Sequence, residues 1–441
     1  MNDSALEHYR STYARIGDRL IAPWFAEQRE AALQSVLQNG FPTLRHENWK
    51  YTDIRPITRG RFRFTEPGEG GLPDSLIDSL RLQGADSREL IFINGYSSES
   101  SSRPGDLPGG AVIAPLVAAV NSHPDILKRH MGTANGGSAF ASLNTALLQD
   151  GAFIYIPDDT EVAKPICLYY LVTDTGQAFT AQPHNLIILG RNARAVVAEF
   201  YASHGEPECF TNVTTKVIAG DGARLEHYKI QQESDRTYHI GYFTARLDRD
   251  AVLESHVFTL GGRLVRNDLV VDLSDPGSEV MLNGLYAAGG KQHVDNHTLV
   301  NHLRPHTRSE EYYRGILGDQ SRGVFNGKVV VHKGAEKADA HQSNDNLLLS
   351  NDAEIDTKPE LEIYEDDVKC SHGATVGQLD EDMLFYLRTR AIEEGAAGTL
   401  LTYAFARHVI DRIKFRPLRQ RLEHLVVGRL PGAGIIREFT R

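Results

Sequence analysis

The sequence predicts a mainly β protein, an all-β solenoid with helical segments at both ends, and three observations carry that expectation. First, short alternating strands recur through the middle of the chain: Ala193-Arg-Ala-Val-Val-Ala-Glu, Ala223-Arg-Leu-Glu-His-Tyr, Ala251-Val-Leu-Glu-Ser-His, Ser278-Glu-Val-Met-Leu-Asn, Ser309-Glu-Glu-Tyr-Tyr-Arg and Ala338-Asp-Ala-His-Gln-Ser. Their starts fall about 27 to 31 residues apart, a regularity that a two-sheet sandwich has no reason to keep. Second, each start is a small residue, generally with Gly, Asp or Asn nearby on its N-terminal side. Third, no amphipathic helix of about 10 to 15 residues interrupts the series, which argues against alternating strand and helix architectures.

In chain order, residues up to about 40 read as helical. Leu20, Ile21, Trp24 and Phe25, then Ala32, Leu33, Val36 and Leu37, recur at three- and four-residue intervals, and Asn39-Gly40-Phe41-Pro42 stops the pattern. A Pro/Gly/Ser-rich tract follows around one short strand, Leu90-Ile-Phe-Ile-Asn, with Pro104 to Gly110 as a loop. Helix returns after Gly377, with Asp380 as N-cap and Glu381 and Asp382 in the first turn. Leu384, Leu387 and Ile392 give that helix an apolar stripe. A second helix from about Ala396 to Lys414 carries Leu401, Ala404, Phe405, Val409 and Ile413 at helical spacing, and Pro417 ends it. A third segment places Leu418, Leu422, Leu425 and Val426 on one face, with Arg419, Arg421 and Arg429 among its other positions. The expected division is a mostly helical region at 1–135, a β-helix core at 136–377 and a helical region at 378–441.

Composition narrows the function classes. With 41% hydrophobic and 24% charged residues in 441, the chain has ample material for a large core. Its formal charge of −11, from 47 basic and 58 acidic residues, disfavours nucleic acid and anionic membrane as partners. The N-terminus lacks a basic region followed by an apolar one, no run is long enough to span a bilayer, and a cytoplasmic location is the default. Cys167, Cys209 and Cys370 lie far apart with no C-x-x-C, against a disulfide framework, a zinc ribbon or a self-sufficient cluster site.

The stretch richest in chemistry is Asn344 to Gly377, which delivers Cys370 and His372 separated by Ser371. In a strand, residues two apart face the same way, so a thiol and an imidazole share one sheet face. That pair is half of a soft-metal or sulfur-handling site: iron–sulfur clusters generally take four protein ligands and zinc three or four, so the remaining donors come from elsewhere, another chain included. Cys167 lies in a buried-strand composition and reads as core, and Cys209 has no basic neighbour to favour a thiolate. His293, His297, His302 and His306 form a dense group that reads as a polar solenoid face rather than a metal site. Gly323-Val-Phe-Asn-Gly327-Lys328-Val329 is one residue short of a Walker A loop and lacks its Ser/Thr, and Gly289-Gly290-Lys291-Gln292 lacks it too, so the chain is not expected to hydrolyse ATP. Two further functions remain open on residues alone: a β-helix carbohydrate-active enzyme using Asp352, Glu354 and Asp356, and a metal-free interaction module.

The run His341-Gln-Ser-Asn-Asp-Asn-Leu-Leu-Leu-Ser, Lys358-Pro-Glu-Leu-Glu-Ile-Tyr, Asp367-Val-Lys-Cys370-Ser-His372-Gly-Ala-Thr-Val-Gly and Leu384-Phe-Tyr-Leu-Arg-Thr-Arg resembles the SufB/SufD family of iron–sulfur cluster assembly proteins, in its SufD branch. Ser321-Arg-Gly-Val-Phe-Asn-Gly-Lys-Val-Val-Val and Arg45-His-Glu-Asn-Trp49-Lys-Tyr-Thr agree with it, and the likeness runs from about residue 40 to about 415. The resemblance implies a right-handed parallel β-helix flanked by helical domains, in a complex with one SufB and two copies of the ABC-type ATPase SufC. It implies that His372, with Cys370, contributes to a transient iron–sulfur cluster shared with SufB, His372 being the better metal ligand. It further implies that SufC docks on the C-terminal helices, whose apolar positions Leu384, Leu401, Phe405 and Val409 are the candidate docking residues. A flavin is suggested for related complexes, but no Gly-rich dinucleotide fingerprint supports direct binding here. In isolation, an open solenoid edge allows a homodimer.

Overall fold

The computed structural model describes residues 2–16, 23–131 and 138–429. Two mostly parallel sheets, of eleven and ten strands, face each other and wind into a β-solenoid of about eight turns. From Arg194–His204 onward the chain alternates between them, so successive strands of each sheet are two positions apart in sequence, as Arg224–Gln232 is from Arg194–His204 and Val252–Thr259. Inward residues of both sheets form one continuous apolar interior from Leu90 to Ala353.

The repeat has a local cause at one corner of each coil. Asn192, Gly222, Asp250, Gly277, His306 and Lys337 all take left-handed backbone conformations, with φ between 54° and 77°. Gly, Asn and Asp adopt that region most readily, which is why those residues precede most strand starts. The next residue turns into the narrow interior corner, and Ala193, Ala223, Ala251, Ser278, Thr307 and Ala338 are all buried there. Coils stack about 4.8 Å apart, so a small side chain fits where a large one would collide with the next coil. In the fifth copy the corner residue is Thr307, two positions before the expected start at Ser309, because Arg308 is the residue that pairs with Glu279 and Asp339.

At the front, helices Asn2–Ile16 and Ala26–Asn39 pack Tyr9, Leu33 and Val36 over Phe210, Ile240 and Leu264 on the outside of the eleven-stranded sheet. Gly40, at φ 69°, ends the second helix. Leu20 and Ile21 lie outside the described residues, while Phe25 is buried beside Leu116 and Phe153. The strand expected at Leu90 forms as Arg88–Ile93 and extends the ten-stranded sheet.

At the far end, Asp380 caps helix Glu381–Thr389 by accepting from the backbone N–H groups of Asp382 and Met383 at 2.9 and 3.0 Å. Helices Glu394–Ile410 and Arg416–Arg429 then fold back along the outside of the ten-stranded sheet. Ala406, Val409, Ile410, Leu418, Leu422 and Val426 pack there against Phe200, Tyr228, Phe258 and Leu285. Arg412 Nη1 reaches Glu310 at 2.7 Å, and Arg314 Nη1 donates to the Phe405 carbonyl at 2.8 Å, pinning the second helix to the sheet. No helix among the described residues is long and apolar enough to cross a membrane.

Candidate functional site

The last coil is built like the others, but no further strand stacks on it among the described residues. Strand Lys369–Gly377 ends the ten-stranded sheet, and Glu354–Ile363 ends the eleven-stranded one. Neither holds a fully buried residue. The register places Cys370 over Ala340, His372 over Gln342, Ala374 over Asn344 and Val376 over Asn346. The four lower residues are all buried and point inward, so their upper partners continue the inward row at an open end. Ser371, of opposite parity, points outward and bonds His341 Nδ1 at 2.7 Å. Apolar surface surrounds the opening: Ile363, Tyr364 and Val376 are exposed, as are Met383, Phe385 and Tyr386 on the next helix. Two unpaired strand edges beside exposed aromatic groups form a surface suited to another chain.

Within this end, the two chemical candidates differ. Cys370 is partly buried and packs against the solenoid interior. Burial pushes its thiol pKa up and the nearby Asp339 carboxylate adds to the shift, so the neutral thiol dominates at neutral pH. The His372 ring is exposed and forms no hydrogen bond among the described residues, so both nitrogens are accessible. Among the described residues no three His, Cys, Asp or Glu side chains group as a metal site. The chain therefore presents an imidazole and a thiol, fewer donors than an iron–sulfur cluster takes.

The other candidates resolve into structural roles. Cys167 and Cys209 are buried, with thiols pushed up by burial, the first to about 12. His293 and His297 point out of the solenoid beneath the N-terminal segment: His293 bonds Thr52 at 2.9 Å and His297 bonds Asp295 at 2.9 Å. The fully buried Arg266 joins that network, reaching Asp295 at 2.6 Å and the Asn48 carbonyl at 2.7 Å, with its guanidinium 3.7 Å from the Trp49 ring centre. Burial opposes the charge on Asp295, yet Arg266 and His297 hold its carboxyl well below the usual range. Motif residues 45–49 thus fasten the front segment to the solenoid. His302 bonds Thr307 and Ser309, and His306 occupies a turn. Gly323 to Val329 lies within strand Arg322–Val331, where it cannot wrap a phosphate. Arg322 pairs with Asp356 at 2.7 Å and with Glu354 at 3.7 Å, occupying two of the three carboxylates considered for glycan chemistry.

The proposed docking stripe needs one correction. Val409 is 0% exposed against the ten-stranded sheet and is not available to a partner. Phe405 is half-buried beneath the Arg314 guanidinium, 4.4 Å from its ring centre. Leu384 and Leu401 are half-buried, and the exposed large apolar residues of helix Glu381–Thr389 are Met383, Phe385 and Tyr386.

Residue-by-residue reading missed a polar column inside the solenoid. Glu199 accepts from Tyr201 and Thr215 and contacts His227 at 3.2 Å; Glu233 contacts His239 at 2.7 Å; Lys229 donates to Asn267 at 2.8 Å, all buried. Burial pushes Lys229 down to about 8 against the pull of both carboxylates. Toward the open end the column continues with Glu311, pushed up by burial to about 7, and Gln342 directly under His372. The signal that could have found them was the repeat itself, since Glu311, Gln342 and His372 sit one repeat apart.

Comparison with known proteins bears on what this end serves. The family model described as the SufBD core domain of the SUF system for FeS cluster assembly matches residues 171–405, and that of the SufBD N-terminal region matches residues 2–168. The iron–sulfur cluster assembly protein SufD of Escherichia coli is 31% identical over 407 residues, covering 92% of this chain and 93% of the relative. The SufBD family protein slr0076 of Synechocystis is 30% identical over 408 residues, 90% of each chain. SufD of Bacillus subtilis is 25% identical over 322 residues, 72% of this chain and 73% of its own.

Proposed function

We infer that this chain, which belongs to the SufBD family of iron–sulfur cluster assembly proteins, is a scaffold subunit without a turnover reaction of its own. It pairs with a SufB-like chain through its last coil, and a nascent cluster forms between the two as transient cargo. His372 supplies this chain's metal-binding nitrogen and Cys370 lies beside it. The observation that carries the reading is the uncovered inward row, where the register that buries side chains elsewhere leaves His372 accessible at a strand edge. A second chain laid on that edge would cover the row, satisfy the edge strands and add the missing donors.

A SufC-like ATPase docks on the helices of the 378–441 region. Its contact surface is the exposed Met383, Phe385 and Tyr386, with Leu384 and Leu401 at the margin. Nucleotide can reshape the SufB-facing edge only if the ATPase binds two arrangements of these helices with different affinity. A cytoplasmic location accompanies this role. Without partners, the same apolar edge pairs two copies of this chain. We assign no flavin to the chain.

The test is co-expression of the tagged chain with SufB-like and SufC-like partners, then anaerobic incubation with iron and sulfide. Co-purification of all three and a visible cluster absorbance are expected. Failure to retain a SufB-like partner would remove the proposal.

A further inference from the structure

We propose that Gln342 is a positioning residue for His372: its Oε1 accepts the N–H of the imidazole nitrogen nearer the solenoid, its Nε2 donates to Glu311, and the other imidazole nitrogen is thereby held unprotonated toward incoming iron. This rests on the assignment of His372 as the metal-binding residue.

Three observations point to it. Gln342 is 4% exposed and sits in register directly under His372; neither of its amide atoms makes a well-aligned hydrogen bond among the described residues, although the amide already stands near enough to Glu311 to favour its carboxylate. A buried unpaired amide costs about 1–3 kcal/mol, so its retention at this position calls for a use. Next, Glu311 lies in register beneath Gln342, with Oε2 accepting from Thr298 Oγ1 at 2.5 Å while Oε1 is also without a partner. One unpaired acceptor therefore lies on the inner side of the amide and an exposed imidazole on the outer side. Finally, the opposite sheet leaves room for the amide: a Cβ on Gly327 would stand 1.8 Å from Gln342 Nε2. Any other residue at 327 would displace the group.

The chemistry follows from what a metal-binding histidine requires. Only the unprotonated imidazole nitrogen binds a metal, and which nitrogen that is depends on the hydrogen bond made by the other. An amide suits this place because it accepts outward and donates inward at once. The Thr298–Glu311–Gln342–His372 column thus gives each member a partner once the ring turns to the amide. Methionine at 342 would fill the same volume and supply neither bond.

The experiment uses the complex with SufB-like and SufC-like partners, measuring the initial rate of cluster absorbance against Fe(II) concentration. Gln342→Met is expected to raise the half-saturating Fe(II) about tenfold, the lower range for losing the group that orients a metal-bound histidine. Gln342→Glu alone sets two carboxyl groups against each other. The exchanged pair Glu311→Gln/Gln342→Glu restores a donor facing an acceptor and is expected to recover most of the Fe(II) dependence. A packing role would be met by methionine and would gain nothing from the exchange. Wild-type Fe(II) dependence in a folded Gln342→Met, or no recovery in a folded exchanged pair, overturns the proposal while leaving His372 in place. If His372→Ala itself assembles clusters normally, the underlying site assignment fails and this inference fails with it.

Discussion

His227 and His372 stand in one inward column of the solenoid, linked in register through Ser255, Leu282, Glu311 and Gln342. His227 is buried, with Nδ1 bonded to Ser255 at 2.9 Å and Nε2 against Glu199 at 3.2 Å. His372 is exposed and carries no such bonds among the described residues. Residue type, strand position and orientation are the same, but a coil lies above His227 and none of the described residues forms one above His372. A covering coil makes an inward imidazole part of a structural network, and its absence leaves the imidazole free for an external ligand. The same contrast holds on the C-terminal helices, where Val409 is pressed against the ten-stranded sheet and Phe385, 66% exposed, is not.

Substitutions in the covered regions should cost stability, and those at the uncovered end should cost assembly alone. The largest stability effect is expected from Val409→Asp, which buries an unpaired carboxyl and should lower unfolding free energy by about 4 kcal/mol in a denaturant titration. Phe385→Asp should stay within about 0.5 kcal/mol and instead weaken retention of a SufC-like partner. Next, His227→Ala deprives buried Glu199 of its imidazole partner and should cost about 3 kcal/mol. Equal losses from His227→Ala and His372→Ala would break the comparison.

Glu311 gives a pH-dependent version of the same test. Its carboxyl moves from an ordinary value of 4.5 to about 7 in the folded chain, chiefly through burial, so the folded state holds the proton more tightly. The Glu311 contribution to stability should therefore fall as pH rises from about 4.5 to 7, by about 3 kcal/mol in all. Glu311→Gln has no such proton to lose, so its advantage over wild type should grow across that window and level off above it. Parallel melting-temperature profiles for the two proteins would contradict the burial argument.

Much of this architecture is legible in the sequence. The spacing of small residues after Gly, Asn or Asp gave the coil period because a left-handed corner and a narrow interior both constrain residue choice. The Asp380 cap and the shared face of Cys370 and His372 followed from local rules. The interior polar column was hidden because alternation in a strand suggests that polar residues face water, whereas Glu199, Lys229 and Glu233 face inward and find partners there in His227, Asn267 and His239. Val409 was misplaced because an apolar helical stripe shows that one face is covered without showing by what. The strand at 309 was entered two residues late because its corner residue is a threonine.

The most direct test of the central claim is His372→Ala in the complex with SufB-like and SufC-like partners, with cluster absorbance and complex retention measured on one preparation. The account predicts an intact complex with unchanged melting temperature and a severely weakened cluster band. A cluster band of wild-type intensity from the substituted complex would contradict it.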